Sequence, residues 1–191
     1  RVFPPGAKEP LRLSTPTTLV EVRGRRLFLN GEPFLMKGAM GRAVDQADAA
    51  YIHSLGLNTL RGLDALSTCE SYGFMNLASL NFGGAASKVA MRAPDAQFEH
   101  TIARSLDWLK TNSPARLDSP YTLLLQLGNE MTGGGNAAPG LQPLSTARRH
   151  VAQLLAAARN FIKPLAPMVP IGYANQDLGF LAPDWLDVYM H

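Results

Sequence analysis

Short apolar segments alternate with amphipathic segments along most of this chain, which predicts alternating strands and helices. Near the start, "VEVRG" and "RRLFLNG" alternate apolar and polar positions around turn residues and predict a β-hairpin. Six apolar strands are then expected at "FLMKGAM", "NTLRGLD", "FMNLASL", "YTLLLQLGNE", "MVPIGYAN" and "LDVYMH". Four helices are expected between them at "DQADAAYIHSLG", "ALSTCESYG", "AQFEHTIARSLDWLK" and "STARRHVAQLLAAARNFIK", the last with Ser145 as N-cap. We expect "FGGAASKVAMRAPD" and "MTGGGNAAPGLQP" to be loops.

The predicted strands are apolar on both faces, as in strands that helices cover from two sides, so the sheet should be parallel. Two architectures fit this order: an open doubly wound sheet and a (β/α)8 barrel. A nucleotide-binding sheet would have a glycine-rich turn after its first strand, and "KGAMGRAVDQ" is too loose a match.

Polar residues fall instead at the carboxyl ends of several predicted strands. They are Arg61, Asn81, Asn129, Glu130, Asn175 and His191. Barrel enzymes place their functional residues at this end of the strands. We therefore predict an α/β chain of the (β/α)8 TIM-barrel type, incomplete with about six β/α units. The N-terminal hairpin belongs to this domain at residues 19–191, and residues 1–18 form a Pro-rich arm or linker.

Composition narrows the functional class only slightly. Of the 191 residues, 46% are hydrophobic and 17% are charged, as in a globular domain with a sizeable core. The net charge of +3 is thinly spread, which argues against nucleic-acid binding. Cys69 is the only cysteine, so neither an intramolecular disulfide nor a Cys-based zinc site is expected. No apolar run approaches the roughly 20 residues of a membrane span.

The chain begins without Met, and we expect its true N-terminus to lie upstream. Localisation therefore stays open, and a secreted or cell-envelope protein is compatible with the sequence. The histidines follow helical patterns without metal-ligand spacing, so structural roles are expected for His53, His100 and His150. Trp108 lies on the apolar face of its predicted helix and should belong to the core.

The pair Asn129-Glu130 at a strand end suits glycoside cleavage. That reaction needs a carboxylic acid to protonate the leaving oxygen and a second carboxylate across the sugar. An adjacent amide can bind the sugar 2-hydroxyl, and Arg61 can keep the second carboxylate ionised. The alternative is a plain turn, in which Asn129 takes the left-handed conformation and Glu130 is solvated.

Several segments together resemble a known group of enzymes: "VEVRGRRLFLNGEPFLMKGAM", "LGLNTLRGLD", "LLLQLGNEMTGG" and "VPIGYAN". They resemble the catalytic barrel of retaining glycoside hydrolases in the clan that includes family 2 (β-galactosidase- and β-glucuronidase-like), family 5 and the family 72 β-1,3-glucanosyltransferases. The resemblance covers residues 19–191, and its most specific part is the Asn-Glu pair on the fourth barrel strand.

The resemblance implies a role for each candidate. Glu130 would be the acid/base, Asn129 would contact the sugar, and Arg61 would steady the nucleophile. Asn175 and His191 would be further substrate-site residues. No metal or organic cofactor is implied, and the partner would be an oligo- or polysaccharide. The aromatic residue that often follows the arginine in such enzymes is not evident in "RGLD".

In this clan the nucleophilic glutamate ends the seventh strand, whereas six barrel strands are predicted here. The nucleophile of a retaining β-glycoside hydrolase or transglycosylase would then lie outside this segment. One alternative is a catalytically incomplete barrel that binds glycans or a protein partner. Another is an open α/β domain without sugar chemistry.

Overall fold

The computed structural model describes residues 19–40, 45–62, 65–132, 141–177, 180 and 182–190. These residues form two compact units. The first unit comprises the described residues up to Ser79, with Arg116–Leu125 and Met168–Pro170. The second comprises Leu80–Ala115 and the described parts of Gln126–Pro167 and Ile171–His191. The arm predicted at residues 1–18 lies outside the described residues.

A small antiparallel sheet opens the first unit. Its strands among the described residues are β1 (Val20–Arg23), β2 (Arg26–Leu29) and β3 (Glu32–Phe34), in that order. The predicted hairpin is confirmed, with β1 paired to β2 around a left-handed Gly24. Val20 and Leu29 pack in one apolar cluster with Met75 and Leu123.

The prediction of one buried strand at residues 34–40 is wrong. Phe34 ends β3 and pairs with Leu27 in the antiparallel sheet. A separate strand, β4 (Gly38–Met40), pairs in parallel with the next strand along the chain. It is largely exposed, with Met40 81% accessible, because among the described strands β4 has a hydrogen-bonded neighbour on one side only.

The described residues also form a six-stranded sheet in consecutive order. Its members are β4, β5 (Thr59–Arg61), β6 (Met75–Leu80), β7 (Thr122–Asn129), β8 (Ile171–Ala174) and β9 (Val188–Met190). Parallel registers join β4 to β5, β5 to β6 and β8 to β9. A doubly wound sheet reverses its strand order at a switch point, and this order does not. Consecutive order is that of neighbouring strands in a (β/α)8 barrel, so a partial barrel fits the fold.

Helices in the first unit follow their sequence signals. In α1 (Gln46–Ser54), the side chain of Asp45 accepts a hydrogen bond from Asp48 N at 2.8 Å. In α2 (Leu66–Tyr72), the predicted stop at Gly73 is confirmed in the left-handed conformation. The core beneath them includes Cys69, and burial raises the pKa of that thiol to about 12. Cys69 is therefore an inert core residue.

The remaining helices are α3 (Lys88–Met91), α4 (Asp95–Asn112), α5 (Pro114–Asp118) and α6 (Leu144–Ile162), with a 3-10 turn at Phe82–Gly84. The segment predicted as a loop at residues 82–95 therefore contains α3 and the 3-10 turn. Pro143, not Ser145, is the N-cap of α6. Pro suits this place because the first helical N–H groups have no partner within the helix. One face of α6 is buried, at Ala147, His150, Val151, Leu154, Leu155, Ala158 and Ile162.

His150 joins α6 to the start of α4 in the second unit. Its ring is fully buried and stacks on Phe98, with ring centroids 3.8 Å apart. Nδ1 lies 2.9 Å from the carbonyl oxygen of Met91, and Nε2 lies 2.9 Å from Asp95 Oδ1. Arg149 donates to the same carboxylate at 2.7 and 3.2 Å. The structural role predicted for His150 is confirmed by these contacts.

The Asp95 carboxylate should make the stability of the protein sensitive to acid. Hydrogen bonds from Arg149 and His150 hold the pKa of Asp95 below its ordinary value. A carboxyl with a depressed folded-state pKa stabilises the protein above its ordinary pKa and loses this effect as pH falls through the folded value. We expect urea unfolding to show a loss of stability below about pH 4 that Asp95→Asn reduces.

Asp107→Asn is the matched control, since Asp107 is an exposed carboxylate on the same helix. The free energy of unfolding of Asp107→Asn should fall with pH as steeply as that of the wild type. Parallel stability profiles for the wild type and Asp95→Asn between about pH 2.5 and 6 would contradict the prediction.

Candidate active site at the end of β7

The chain turns sharply where β7 leaves the sheet. Thr122 to Gly128 are buried, Asn129 is exposed, and Glu130 follows the last residue of the strand. Gly128 and Glu130 both have left-handed backbones, with φ of 75° and 49°. This conformation is uncommon for a residue with a Cβ, and it persists only where surrounding contacts hold it. It leaves the Glu130 side chain 33% exposed.

Strand β8 and the residue after it hold this turn through three successive contacts. Glu130 N donates to the carbonyl oxygen of Ala174 at 2.8 Å. Met131 N donates to the Tyr173 hydroxyl at 3.0 Å, and the Thr132 hydroxyl donates to Asn175 Oδ1 at 3.0 Å. The residues after β7 are therefore bonded one by one to the end of β8.

Gln126 supports the turn from within β7. Its side chain is fully buried, and Nε2 donates to Gly128 O at 2.9 Å and to Asn129 Oδ1 at 3.4 Å. The contact fixes the oxygen of the Asn129 carboxamide. Sequence reasoning did not single out Gln126, although a lone polar residue inside the apolar run "TLLLQLGN" was the available signal.

A cleft of about 300 Å³ lies beside the turn. Its lining comprises Asn81, Gly84, Ala86, Ser87, Lys88, Gly128, Asn129 and Met131. Lys88 carries the only charge among these lining residues, and its Nζ lies 3.7 Å from Glu130 Oε2. The cleft thus combines amide groups, an ammonium group and a nearby carboxylate.

Lys88 reaches the cleft because α3 begins beside it. The hydroxyl of Ser87 accepts a hydrogen bond from Ala90 N at 3.1 Å and caps this short helix. Sequence reasoning missed Lys88 because the surrounding segment, rich in Gly and Ala, was expected to be a loop. The pattern Ser87-Lys-Val-Ala was its only helical signal.

Tyr173 anchors an aromatic cluster behind the turn. Its ring is fully buried and packs edge-on against Phe180, with centroids 5.4 Å apart. Tyr189 lies nearby, at 6.3 Å between centroids. Burial raises the pKa of the Tyr173 hydroxyl well above its ordinary value, so this group stays protonated at neutral pH. Burial also raises the pKa of Tyr189.

The predicted site residues fall in different places. Asn129 and Glu130 lie together at the turn, and Asn81 lines the cleft. Asn175 is only 2% exposed and is bonded to Thr132. Arg61 is the last residue of β5 and belongs to the first unit. His191 lies outside the described residues.

Within the described part of the chain, no three His, Cys, Asp or Glu side chains are grouped so that they could hold a metal ion. Among the described helices, none is both long enough and apolar enough to cross a membrane.

No protein-family model matches the sequence, and no curated protein matches it. Solved structures do share its fold. One is the GH2 β-galacturonidase from Eisenbergiella tayi bound to galacturonate, with a TM-score of 0.58, 18% identity, 85% of this chain covered and 29% of that chain. Another is the β-glucuronidase of Parabacteroides merdae, with a TM-score of 0.63 and 15% identity. The match covers 90% of this chain and 22% of that one. A third is the β-D-glucuronidase of Dictyoglomus thermophilum, with a TM-score of 0.54 and 19% identity. The match covers 83% of this chain and 29% of that one.

This chain spans less than a third of the length of each of these structures. Their low sequence identities make the likeness one of fold. What the chain shares with these glycosidases is an α/β arrangement, and in this chain Glu130 follows the fourth strand of the parallel sheet.

Proposed function

We propose that this chain is part of a retaining β-glycoside hydrolase or transglycosylase in which Glu130 is the acid/base. The observation that carries the proposal is the place of Asn129-Glu130, directly at the carboxyl end of the fourth parallel strand and beside a cleft that contains amide and ammonium groups. Enzymes built on barrels use this end of the strands for chemistry. The fold shared with solved uronidases supports the same assignment.

The reaction is a double displacement. A glutamate outside this segment attacks the anomeric carbon, the glycosidic C–O bond breaks, and the carboxylic acid of Glu130 gives its proton to the leaving oxygen. Glu130, now a carboxylate, then takes a proton from water or from an acceptor hydroxyl. That oxygen attacks the anomeric carbon and releases the nucleophile. Retention requires the two carboxyl groups to lie about 5–5.5 Å apart.

Asn129 is the proposed sugar contact. Gln126 holds the Asn129 carboxamide oxygen at 3.4 Å, which fixes the group beside the cleft, and a carboxamide can both donate to and accept from sugar hydroxyls. Arg61 is proposed to steady the nucleophile, and His191 is proposed as a further substrate-binding residue. Asn175 is too deeply buried for an open sugar site, and its bond to Thr132 favours a role behind the turn.

The first substrates to test are uronides. Solved structures that share this fold include β-glucuronidases and β-galacturonidases, and Lys88 adds a positive charge to the cleft. A sugar carboxylate can pair with such an ammonium group. Uncharged oligo- and polysaccharides should be tested alongside these uronides.

The test is an assay of the full-length protein with aryl β-glucuronides, β-galacturonides, β-glucosides and β-galactosides. Proton NMR of the first product formed should show the β-anomer, as retention requires. First formation of the α-anomer would contradict the retaining mechanism. Calorimetric binding of oligosaccharides without any turnover would favour the catalytically incomplete barrel that binds glycans, and the absence of both would leave neither function standing.

A further inference from the structure

The left-handed turn at Glu130 depends on contacts from β8, and those contacts differ in kind. Glu130 N bonds to a backbone carbonyl, that of Ala174, which any residue at that position would supply. Met131 N bonds to a side chain, the hydroxyl of Tyr173, from 42 positions further along the chain. The identity of residue 173 therefore decides whether the Met131 amide has its acceptor.

The geometry points to Tyr173 as a positioning residue for Glu130, with its hydroxyl holding the backbone immediately after the carboxylate. This inference rests on the proposed function for its catalytic meaning. Met131 N is buried, so without the hydroxyl it would lack a partner. The backbone after Glu130 would then lose this restraint, and the side chain of Glu130 would shift with it.

The ring of Tyr173 is itself held in place, which makes the hydroxyl a fixed point. It is fully buried, and the edge-on contact with Phe180 limits rotation about its side-chain bonds. The hydroxyl stays protonated because burial raises its pKa, so it is a neutral acceptor for the amide throughout the ordinary pH range. Asn175 adds a second, parallel restraint through Thr132.

Such a restraint matters because general acid catalysis is sensitive to position. A group that transfers a proton must lie within hydrogen-bond reach of the leaving oxygen, and small displacements reduce the rate strongly. Binding of the substrate depends on many other contacts. Loss of the Tyr173 hydroxyl should therefore lower kcat and leave KM nearly unchanged.

The experiment is Tyr173→Phe in the full-length protein, which keeps the buried ring and removes only the hydroxyl. Amide hydrogen exchange at Met131 should become at least about tenfold faster, because the amide has lost its acceptor. Exchange at Leu125, which donates to Pro170 O at 2.9 Å, should not change. With the best aryl glycoside, kcat should fall about tenfold and KM should stay within about twofold.

Tyr121→Phe is the matched control, since it removes the hydroxyl of a half-buried tyrosine that belongs to the first unit. It should leave both the exchange at Met131 and kcat unchanged. If Tyr173→Phe yields too little folded protein, Thr132→Val removes the parallel bond to Asn175 and should lower kcat, to a smaller degree, at constant KM.

The two proposals fail differently. Absence of turnover by the unmodified protein would refute the proposed function. Turnover by the unmodified protein, with unchanged Met131 exchange or unchanged kcat in Tyr173→Phe, would refute the role of Tyr173.

Discussion

Replacement of Glu130 by Gln is expected to reduce turnover of natural oligosaccharides by about 10²–10⁴-fold, the usual contribution of a general acid or base. The carboxamide has nearly the shape of the carboxyl group but cannot give or take the proton. The fold should survive, because the Glu130 side chain is partly exposed and its charged contact is a 3.7 Å approach to a largely exposed Lys88. Circular dichroism and thermal unfolding should match the wild type.

The size of the loss should depend on the leaving group. A dinitrophenolate leaves without a proton, so its first displacement needs no acid, whereas a sugar alkoxide needs one. The variant should therefore lose far less activity on dinitrophenyl glycosides than on oligosaccharides when the first step is measured. Added azide, which attacks without a base, should then accelerate release of the glycosyl enzyme.

Glu99→Gln is the matched control, because Glu99 is an exposed glutamate on α4 that lines a different cleft. It should behave as wild type with every substrate. An equal loss for Glu130→Gln on all leaving groups, or no loss on any, would refute the assignment of Glu130 as acid/base.

Replacement of Gly83 by Ala is expected to lower the free energy of unfolding by about 3 kcal/mol, from backbone strain and overpacking together. Gly83 has φ of 58°, a conformation that costs a residue with a Cβ roughly 1–2 kcal/mol. A Cβ there would also fall on the indole of Trp108, against Cδ1 and Nε1, with Cγ at 3.0 Å. Trp108, which was predicted to belong to the core, is only half-buried, and Gly83 leaves room for its ring.

Gly84→Ala separates the two contributions. Gly84 has φ of 77°, and a methyl group added there would meet no atom within 4 Å, so this position carries the backbone strain without the contact. The free energy of unfolding of Gly84→Ala should therefore be lower than that of the wild type by about 1–2 kcal/mol. Urea unfolding of both variants measures the difference, and equal losses would show that the indole of Trp108 moves aside without cost.

Much of this architecture could be predicted from local pattern. The hairpin with its left-handed Gly24, the stop of α2 at Gly73 and the buried run of β7 all follow from residue types within a few positions of each other. The same holds for the place of Asn129-Glu130 at a strand end. Each of these features is fixed by backbone preference or by burial of one short segment.

Prediction from the local sequence pattern failed where one apolar segment contributes to two different sheets. The run at residues 34–40 has the pattern of a single apolar strand, yet Phe34 completes the antiparallel sheet and Gly38–Met40 begins the parallel one. Apolar content alone cannot say which partner a strand will find, because pairing depends on strands distant in sequence. The capped turn of α3 was hidden for a related reason, since a helix this short depends on tertiary packing.

Residue types along the chain specify the alternation of strands and helices and place a carboxylate directly after the fourth strand of the sheet. How that carboxylate is held depends on the folded sheet. Glu130 has a left-handed backbone, and α3 brings an ammonium group near it. The two residues that follow Glu130 bond to Tyr173 and Asn175, which lie 42 and 43 positions further along the chain. The spacing of apolar residues and the capping of helices depend on a few neighbouring residues, so both can be predicted from a short stretch of sequence. Hydrogen bonds between neighbouring strands require the sheet to form first, because sheet order alone brings Tyr173 and Asn175 to the turn that follows β7.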